Sequence, residues 1–286
     1  MKKNVIIILN YNDFRMCDRL LNHIKLYNCF FKIVIVDNCS TDDSYDRIKE
    51  KYADTHIDVI KTDFNGGYAY GNNFGCIYAI KKYDPDVLFI ANPDVLFEEN
   101  VVEKMSAIVG SDSKYGVVAP LVRTGYNIWS QPDYWKTIAS LFLILYTIEK
   151  KRCRKKVQRA NSIQEIGVVE GSFFAIDAEV FRIIGGFDTR TFLYCEEMIL
   201  GFRLKQAGYR TAVIPNSYYE HLHSQSIGKE YKSKAKAFVN CREGMLLYLN
   251  EYLKVNKAQM FGFEIAYRFA YLERKAYDVV LKIINR

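Results

Sequence analysis

Residues 4–12 are NVIIILNYN and residues 32–44 are KIVIVDNCSTDDS. Each stretch joins an unbroken run of aliphatic residues to a polar segment, and a segment with helical spacing follows. Strands that are buried on both faces have this continuous apolar pattern. The two stretches therefore predict neighbouring strands of a sheet that is covered by helices, with polar residues directly after each strand.

The same alternation of strands and helices continues to about residue 120. Strands are predicted at Val5–Leu9, Ile33–Val36, Ile57–Ile60, Val87–Ile90 and Val117–Ala119, and helices at Phe14–Tyr27, Asp43–Tyr52, Tyr68–Lys82 and Glu98–Val109. This order is typical of a doubly wound α/β fold with right-handed crossovers. Ligands of such sheets bind beyond the carboxyl ends of the strands, so the residues that follow each run are the candidates for chemistry.

The pattern changes after residue 120. Tyr134–Ile148 is predicted to be one apolar helix, and it leads into a basic run, KKRCRKKVQR from Lys150 to Arg159. The later predictions are a strand near Ile166–Val169, a helix at Glu196–Ala207, a strand at Thr211–Ile214 that Pro215 ends, and helices from Tyr231 onward with an interruption near Val255–Lys257.

Composition indicates a globular protein with reduced cysteines. Half of the 286 residues are hydrophobic and 26% are charged, which excludes a disordered chain. Forty basic against 33 acidic residues give a net charge of +7, too modest an excess to imply a nucleic-acid partner. The seven cysteines form no C-x-x-C, so neither a disulfide framework nor a zinc ribbon is expected. With no signal-peptide pattern and no apolar stretch near the roughly 20 residues of a membrane span, we expect a cytoplasmic protein.

Polar residues after the first two predicted strands suit a nucleotide. Asn10 and Tyr11 follow the first strand, and Asp37 and Asn38 follow the second. A tyrosine can stack on a base, and a carboxylate can accept hydrogen bonds from a base or a ribose. The stretch from Ser40 to Ser44 is also rich in helix-capping residues, so a purely structural turn remains open at this point.

Glycines precede the helix after the third strand. Asn65-Gly66-Gly67 leads into a helix that carries Asn73, and glycine before a helix N-terminus lets the backbone approach a phosphate. Neither G-x-G-x-x-G nor the P-loop spacing occurs, which disfavours a dinucleotide dehydrogenase.

Two groups of carboxylates could act on a bound nucleotide. Asn92-Pro93-Asp94 follows a fully apolar strand, where one carboxylate suits Mg²⁺ or Mn²⁺, although this tripeptide is also a common turn. Glu196-Glu197 opens a helix after a largely apolar segment, which favours either a general base of raised pKa or a first turn stabilised by the helix dipole. His221 and His223 are expected in a loop, where one of them could contact a diphosphate or its metal.

These motifs, in this order, resemble the inverting glycosyltransferases of glycosyltransferase family 2. The resemblance rests on ILNYN (8–12), VDNCSTDDS (36–44), NGGYAYGNN (65–73), NPDV (92–95), GGFD (185–188), FLYCEEMILGFRLKQAGYR (192–210) and HLHSQSIG (221–228). It implies a GT-A fold, which is a Rossmann-like, mostly parallel central sheet flanked by helices. The most similar subgroup is the bacterial rhamnosyltransferase-like enzymes that build O-antigen, capsule or cell-wall glycans.

The resemblance also implies a division of the chain. Residues 1–228 would form the nucleotide-sugar-binding and catalytic domain, with residues 134–160 as an apolar and basic insertion. Residues 229–286 would form a C-terminal helical segment.

Roles for individual residues follow from the matching positions. The donor, a nucleoside diphosphate sugar, would contact residues of three motifs: Asn10, Tyr11, Asp37 and Asn38 at the base, and Asn65, Gly67 and Asn73 at the ribose and diphosphate. In the motif of D-x-D type, Asn92 replaces the first carboxylate. Asp94 would hold Mg²⁺ or Mn²⁺ on the diphosphate, with His221 nearby.

The catalytic base would be Glu197, with Glu196 as its rival. It would take a proton from an acceptor hydroxyl, which displaces the nucleoside diphosphate in one step and inverts the anomeric carbon. Two alternatives stay open: a catalytically inactive donor-binding subunit of a glycan-assembly complex, and a sugar nucleotidylyltransferase. The second should carry a glycine-rich basic loop after the first strand, and residues 10–13 do not supply one.

The acceptor is expected to be a lipid-linked glycan of the bacterial surface. The apolar stretch Ile138–Ile148 followed by the basic run at Lys150–Arg159 predicts an interfacial helix at the cytoplasmic face of the inner membrane. A core helix with a solvated basic loop is the alternative. For the C-terminal aromatic residues we expect packing on the domain, while a homodimer or membrane contact remains open: Phe261, Phe263, Tyr267, Phe269 and Tyr271.

Overall fold

The computed structural model describes residues 2–54, 56–110, 114–222 and 234–284. Its strands are, in chain order, β1 (Asn4–Asn10), β2 (Lys32–Asp37), β3 (Ile57–Lys61), β4 (Val87–Ala91), β5 (Val95–Leu96), β6 (Tyr115–Val122), β7 (Ile128–Trp129), β8 (Gln164–Ile166), β9 (Val168–Val169), β10 (Phe173–Asp177) and β11 (Arg210–His221).

The helices are α1 (Phe14–Ile24), α2 (Ser44–Tyr52), α3 (Gly67–Tyr83), α4 (Glu99–Ile108), α5 (Tyr134–Ser140), α6 (Leu143–Gln158), α7 (Ala178–Ile184), α8 (Glu196–Gln206), α9 (Lys234–Leu247) and α10 (Lys257–Ile284), with a π-helical turn at Tyr248–Tyr252 between the last two.

Nine of the described strands form one central sheet. The order is β3-β2-β1-β4-β10-β6-β11-β5, and β8 also pairs with β11. Pairing is parallel from β3 to β4 and between β6 and β11, whereas β10 lies antiparallel between β4 and β6. The long strands other than β10 therefore point the same way, which confirms the expected mostly parallel sheet.

The strand β10, which is inserted between β4 and β6, was not predicted from the sequence. Phe173–Ile176 is a short apolar run with no helical crossover before it, so the strand–helix alternation that revealed the other strands is missing here. Its pairing with β4 and β6 is set by tertiary contacts. All five of its residues are buried.

Alternating residues of β1 serve the two layers of helices. Ile6 and Ile8 face the hydrophobic core that includes α1, α2 and α4, and Val5 and Ile7 face the core that includes α3, α7 and α8. Successive side chains of a strand point to opposite faces, so a run without polar residues is what a strand covered on both faces requires.

The predicted helix at Tyr134–Ile148 is wrong in detail. It is two helices, α5 and α6, that break at Leu141. The basic run up to Gln158 lies within α6, so the alternative of a basic loop after the helix is wrong. Leu141 is fully buried, and its carbonyl accepts a hydrogen bond from Arg274 of α10 at 2.5 Å. Because this break is fixed by a residue 133 positions away, local spacing does not reveal it.

Pro215 was expected to end the last strand, and this prediction is wrong. β11 continues to His221, with a shift in its pairing to β6 between Ile214 and Tyr218. Proline is tolerated in a strand at such an irregularity because no ladder hydrogen bond is needed there. His221 therefore ends a strand and does not lie in a loop. His223, the rest of the motif to residue 228 and the proposed domain boundary lie outside the described residues.

The expected strand near Ile166–Val169 is also divided. β8 pairs with β11 in the central sheet, whereas β9 pairs with β7 in a separate two-stranded sheet. Gly167 separates the two strands, and a Cβ atom there would lie 1.8 Å from the backbone nitrogen of Gln131. A side chain at this position would therefore collide with the backbone at Gln131.

The C-terminal helices pack on α5 and α8. Phe238, Leu249 and Phe263 form a cluster with Leu141, and Tyr248 packs with residues of α8. The interruption lies at residues 253–256, next to its predicted position.

Of the C-terminal aromatic residues, Phe263 and Tyr267 are buried as expected, whereas Phe261 and Phe269 are 69% and 63% exposed. The segment is also joined to the GGFD motif, because the Tyr252 hydroxyl donates to Asp188 Oδ2 at 2.5 Å. Within the described ranges, no helix combines the length and apolarity needed to cross a bilayer.

Candidate active site

A cavity of about 700 Å³ opens at the carboxyl edge of the sheet. We call it the donor cavity. Nine of the sequence-predicted site residues line it: Tyr11, Asn38, Asn65, Gly67, Asn92, Asp94, Glu196, Glu197 and His221. They come from segments that are far apart in the chain, and the strand order brings their ends together.

Asp37 and Asn10 lie behind the wall of this cavity. Asp37 is fully buried, and its carboxylate accepts hydrogen bonds from the Ser40 backbone at 2.8 Å and the Ser40 hydroxyl at 2.6 Å. Asn10, also buried, donates to the same carboxylate at 3.0 Å. The two side chains brace the turn that presents Asn38 to the cavity.

Gly67 fixes one rim of the cavity. Its nitrogen donates to Asn65 Oδ1 at 3.0 Å, and that oxygen also accepts from the Asn38 amide at 2.8 Å. The φ angle of Gly67 is +82°, and a Cβ atom there would lie 2.0 Å from the carbonyl oxygen of Phe192. That carbonyl accepts from Tyr68 N at 3.0 Å. Only glycine allows the loop at residues 192–195 to lie this close to the start of α3.

Asn73 is placed elsewhere. Its side-chain amide donates to the Phe187 carbonyl and accepts from the Phe187 nitrogen, both at 2.9 Å. Asn73 does not line the donor cavity. The paired hydrogen bonds anchor the GGFD motif to α3.

Asp94 and His221 face each other across the cavity floor. His221 Nε2 lies 3.3 Å from Asp94 Oδ2, and Nδ1 lies 3.8 Å from Glu170 Oε2. Burial works to lower the pKa of His221, but hydrogen bonding to Asp94 and Glu170 outweighs it and raises the pKa to about 9. The imidazolium therefore balances two carboxylates when no other cation is near.

These groups suit a divalent cation only in part. Carboxylate and imidazole are ligands that Mn²⁺ accepts, and carboxylate oxygen suits Mg²⁺. In the part of the chain that the structure describes, no set of three histidine, cysteine or acidic side chains is arranged to hold a metal ion. Phosphate oxygens and water would have to complete the coordination.

Glu196 and Glu197 begin α8 after a strained turn. Tyr194 and Cys195 have φ angles of +77° and +73°, a left-handed backbone that costs free energy in residues other than glycine. Glu196 is 2% exposed, and its Oε1 accepts no hydrogen bond from the described residues. Glu197 Oε1 accepts from Gly171 N at 3.1 Å.

Burial raises the pKa of both carboxyl groups above the usual glutamate range. For Glu196, the charge of Glu197 adds to the effect of burial. For Glu197, burial is the largest cause, Glu170 adds to it, and Lys150 opposes it. A base of raised pKa accepts a proton more readily, so both residues have the electrostatics of a general base.

A second cavity of about 570 Å³ adjoins the first. It lies among α5, α6, the start of α8 and the C-terminal helices. Both cavities are lined by Glu170, Tyr194 and Glu197, whereas Glu196 lines the donor cavity alone. Glu197 therefore stands where two bound molecules would meet.

Sequence reasoning missed Glu170 and Tyr68. Glu170 follows the apolar pair of β9, so the rule that singled out Asp94 after β4 would also have found it. Tyr68 lines the donor cavity and donates to the Gly171 carbonyl at 2.6 Å. A tyrosine in the first turn of a helix carries no comparable signal.

A mixed sheet of this order with acidic residues at its carboxyl edge defines a GT-A fold, and solved structures agree. A mannosyltransferase from Pyrobaculum calidifontis, in complex with GDP-Man and Mn²⁺, has a TM-score of 0.62 at 14% identity and covers 96% of this chain and 73% of its own. The S. aureus TarS fragment 1–349, in complex with UDP-GlcNAc, has a TM-score of 0.54 at 13% identity, covering 94% and 72%.

The chain belongs to glycosyl transferase family 2, whose model matches residues 5–185. It is therefore a glycosyltransferase. It is 24% identical to the rhamnosyltransferase WbbL of Escherichia coli K12, over 80% of this chain and 87% of the relative. It is 22% identical to an N-acetylglucosaminyl-diphospho-decaprenol L-rhamnosyltransferase of Mycobacterium tuberculosis H37Rv, over 72% and 71%. The predicted family and fold are thus confirmed.

Proposed function

We propose that this glycosyltransferase moves rhamnose from a nucleoside diphosphate sugar to a hydroxyl group of a lipid-linked glycan, with inversion at the anomeric carbon. The names of its relatives support the choice of sugar and of acceptor. The observation that carries the mechanism is the position of Glu197, at the junction of the donor cavity and the second cavity. The family match favours this activity over a sugar nucleotidylyltransferase.

Glu197 takes the proton of the acceptor hydroxyl in the proposed reaction. The oxygen then attacks the anomeric carbon on the face opposite the diphosphate, and the nucleoside diphosphate leaves with the bonding electrons. A single carboxylate suffices because the diphosphate leaves as a stable anion, whereas an inverting glycosidase needs a second carboxyl group as the acid. Glu196, which faces only the donor cavity, is the better candidate for a contact with the sugar of the donor.

The donor is proposed to lie along the rim from Tyr11 to Asp94. The base would stack near Tyr11, over the turn that Asn10, Asp37 and Asn38 build. The ribose and diphosphate would lie beside Asn65 and Gly67, with Asn73 supporting the site from behind. The diphosphate would then end near Asn92, Asp94 and His221, where bound Mg²⁺ or Mn²⁺ would supply positive charge for the leaving group.

The enzyme is proposed to work at the cytoplasmic face of the membrane. Several large apolar residues of α5, α6 and α10 are exposed: Trp135, Ile144, Leu145, Phe261, Phe269 and Leu272. α6 also carries the basic run, so apolar and cationic groups occur on the same element, as on a helix that binds anionic lipid. A homodimer is the rival use of this surface.

A thermal-shift panel tests the donor site. Nucleoside diphosphate derivatives of rhamnose, galactose and glucose are each added with Mn²⁺ or with chelator. We expect one donor to raise the melting temperature, because a ligand of the native state stabilises it. Asp94→Ala should abolish the metal-dependent part of that rise, and Glu50→Ala, an exposed residue of α2, should keep it. No shift with any donor would contradict the proposal.

Turnover distinguishes an enzyme from an inactive donor-binding subunit. Glu197→Gln should lower the transfer rate by about 10²–10⁴-fold, the usual contribution of a general base, while the donor still raises the melting temperature. Glu196→Gln should lower it less. Wild-type protein that binds a donor but transfers nothing to lipid-linked glycans would favour the inactive subunit.

A further inference from the structure

The second cavity shares Glu170, Tyr194 and Glu197 with the donor cavity, and the rest of its lining comes from other parts of the chain. Its walls come from β7, from α5 and α6, from the segment around Glu197 without Glu196, and from the C-terminal helices: Phe238, Cys241, Met245 and Arg274. The family model ends at residue 185, so the C-terminal wall lies beyond it. The family match therefore does not describe this wall of the cavity.

We propose that the second cavity is the acceptor site, and that it takes a sugar joined through phosphate to a long apolar chain. This inference rests on the proposed function. The acceptor sugar lies at Glu197, the phosphate lies at Lys150, and the apolar chain follows the wall that α6 forms with the C-terminal helices.

The first support is the shared boundary at Glu197. An acceptor hydroxyl must reach both the base and the anomeric carbon of the donor, and reacting atoms need to come within about 3–3.5 Å of each other. Of the two glutamates, only Glu197 lines both cavities. A molecule in the second cavity can therefore present a hydroxyl group to the donor without entering the donor cavity.

The second support is the charge of Lys150. Its Nζ lies 4.4 Å from the ring centroids of both Trp129 and Tyr146, so two aromatic faces hold the ammonium group at the cavity wall. Across the described ranges, no carboxylate forms an ion pair with it. A half-buried cation held in this way favours an anionic ligand, and phosphate is the anion that a compact ammonium group suits.

The third support is the apolar wall. Leu143, Leu145 and Ile148 of α6 line the cavity opposite Phe238 and Met245 of α9. Leu145 and Ile148 are also 48% and 40% exposed, so the wall continues onto the surface of the protein. A chain that starts at the phosphate can leave along this wall towards the exposed apolar residues of α10. Such a path suits an isoprenoid or acyl chain that remains in a membrane.

Calorimetric titration with farnesyl diphosphate tests this assignment, because this probe carries both the charge and a chain. Farnesol and inorganic diphosphate serve as the two halves. We expect farnesyl diphosphate to bind more tightly than either half. Lys150→Met, which keeps the aliphatic stem, should weaken binding by about tenfold or more, as expected for a lost hydrogen bond to a charged group.

Three variants make the result specific. Lys151→Met removes a neighbouring charge that is exposed and does not line the cavity, and it should bind the probe as wild type does. Asp94→Ala should also bind it normally, which excludes binding at the donor cavity. Ala139→Phe fills the cavity from α5 and should abolish binding of the probe with donor binding intact.

Equal loss in the two lysine variants, or unchanged binding in both Lys150→Met and Ala139→Phe, would overturn the assignment. The thermal shift with donor tests the proposed function separately. A donor that binds while the probe does not would leave the proposed function standing and refute the acceptor site.

Discussion

Gly67→Ala should damage catalysis more than stability. The residue has a φ of +82°, and left-handed backbone costs an alanine about 1–2 kcal/mol. In addition, the new Cβ atom would lie 2.0 Å from the Phe192 carbonyl oxygen, where about 3.3 Å is the normal contact. The loop at residues 192–195 must therefore move by about 1 Å, and it leads directly into Glu196 and Glu197. A displacement of that size costs roughly 100-fold in rate.

Gly208→Ala is the matched control. Gly208 has a φ of +88°, but a Cβ atom there would have no neighbour within 4 Å. Gly208→Ala therefore introduces the same kind of backbone strain as Gly67→Ala but no steric clash. For this strain, both variants should lose about 2–4 °C of melting temperature per kcal/mol. We expect kcat/KM for the donor to fall about 100-fold in Gly67→Ala and to stay within about twofold of wild type in Gly208→Ala. Equal rates in the two variants would refute the argument from loop displacement.

Three further predictions concern residues that line the site or hold its surrounding segments in place. Tyr252→Phe removes a hydrogen bond to the buried Asp188 carboxylate and should lower stability by about 1.5–3 kcal/mol in chemical denaturation. Asn73→Ala removes both hydrogen bonds to the Phe187 backbone and should raise KM for the donor together with a loss of stability. Glu196→Gln should become increasingly more stable than wild type as pH rises above about 5, the upper edge of ordinary glutamate titration.

The sign of the Glu196 prediction follows from its raised pKa. The folded protein binds the Glu196 proton more tightly than the unfolded chain does. The resulting stabilisation of the wild-type protein is fully present at low pH and is lost as pH rises through the pKa of the folded state. Glutamine is neutral throughout. A constant difference in melting temperature between the two proteins from pH 5 to 9 would contradict the burial argument. For Tyr252→Phe and Asn73→Ala, unchanged unfolding midpoints would show that the contacts contribute nothing measurable.

The sequence predicts those parts of the fold that local spacing determines. β1 to β4 and their helices were recognised because unbroken apolar runs alternate with helical segments. The turn at Leu141 and the insertion of β10 were missed because each depends on a distant partner, Arg274 in one case and β4 with β6 in the other. The same limit applies to the passage of β11 through Pro215, which depends on an irregular pairing with β6.

The sequence identifies residue types that suit the site, and the order of the strands in the sheet brings those residues close together. The rule of polar residues after strands found Asp94, and the structure places it beside His221. The rule could not predict the direction in which each side chain points. Asp37 is the last residue of β2, yet its carboxylate accepts hydrogen bonds from Ser40 and does not line the donor cavity. Nor could it separate Glu196 from Glu197, because neighbouring residues of a helix differ only in the direction that they face.

The placement of Glu197 between two adjoining cavities has a consequence for how such enzymes diversify. The donor cavity is lined by residues up to His221, whereas one wall of the second cavity comes from helices beyond residue 233. If the second cavity takes the acceptor, as proposed above, substitutions, insertions or recombination in that C-terminal segment would change what is glycosylated while the donor cavity and Glu197 stay the same. Exchange of C-terminal segments between family members would then give new glycan linkages from one sugar nucleotide.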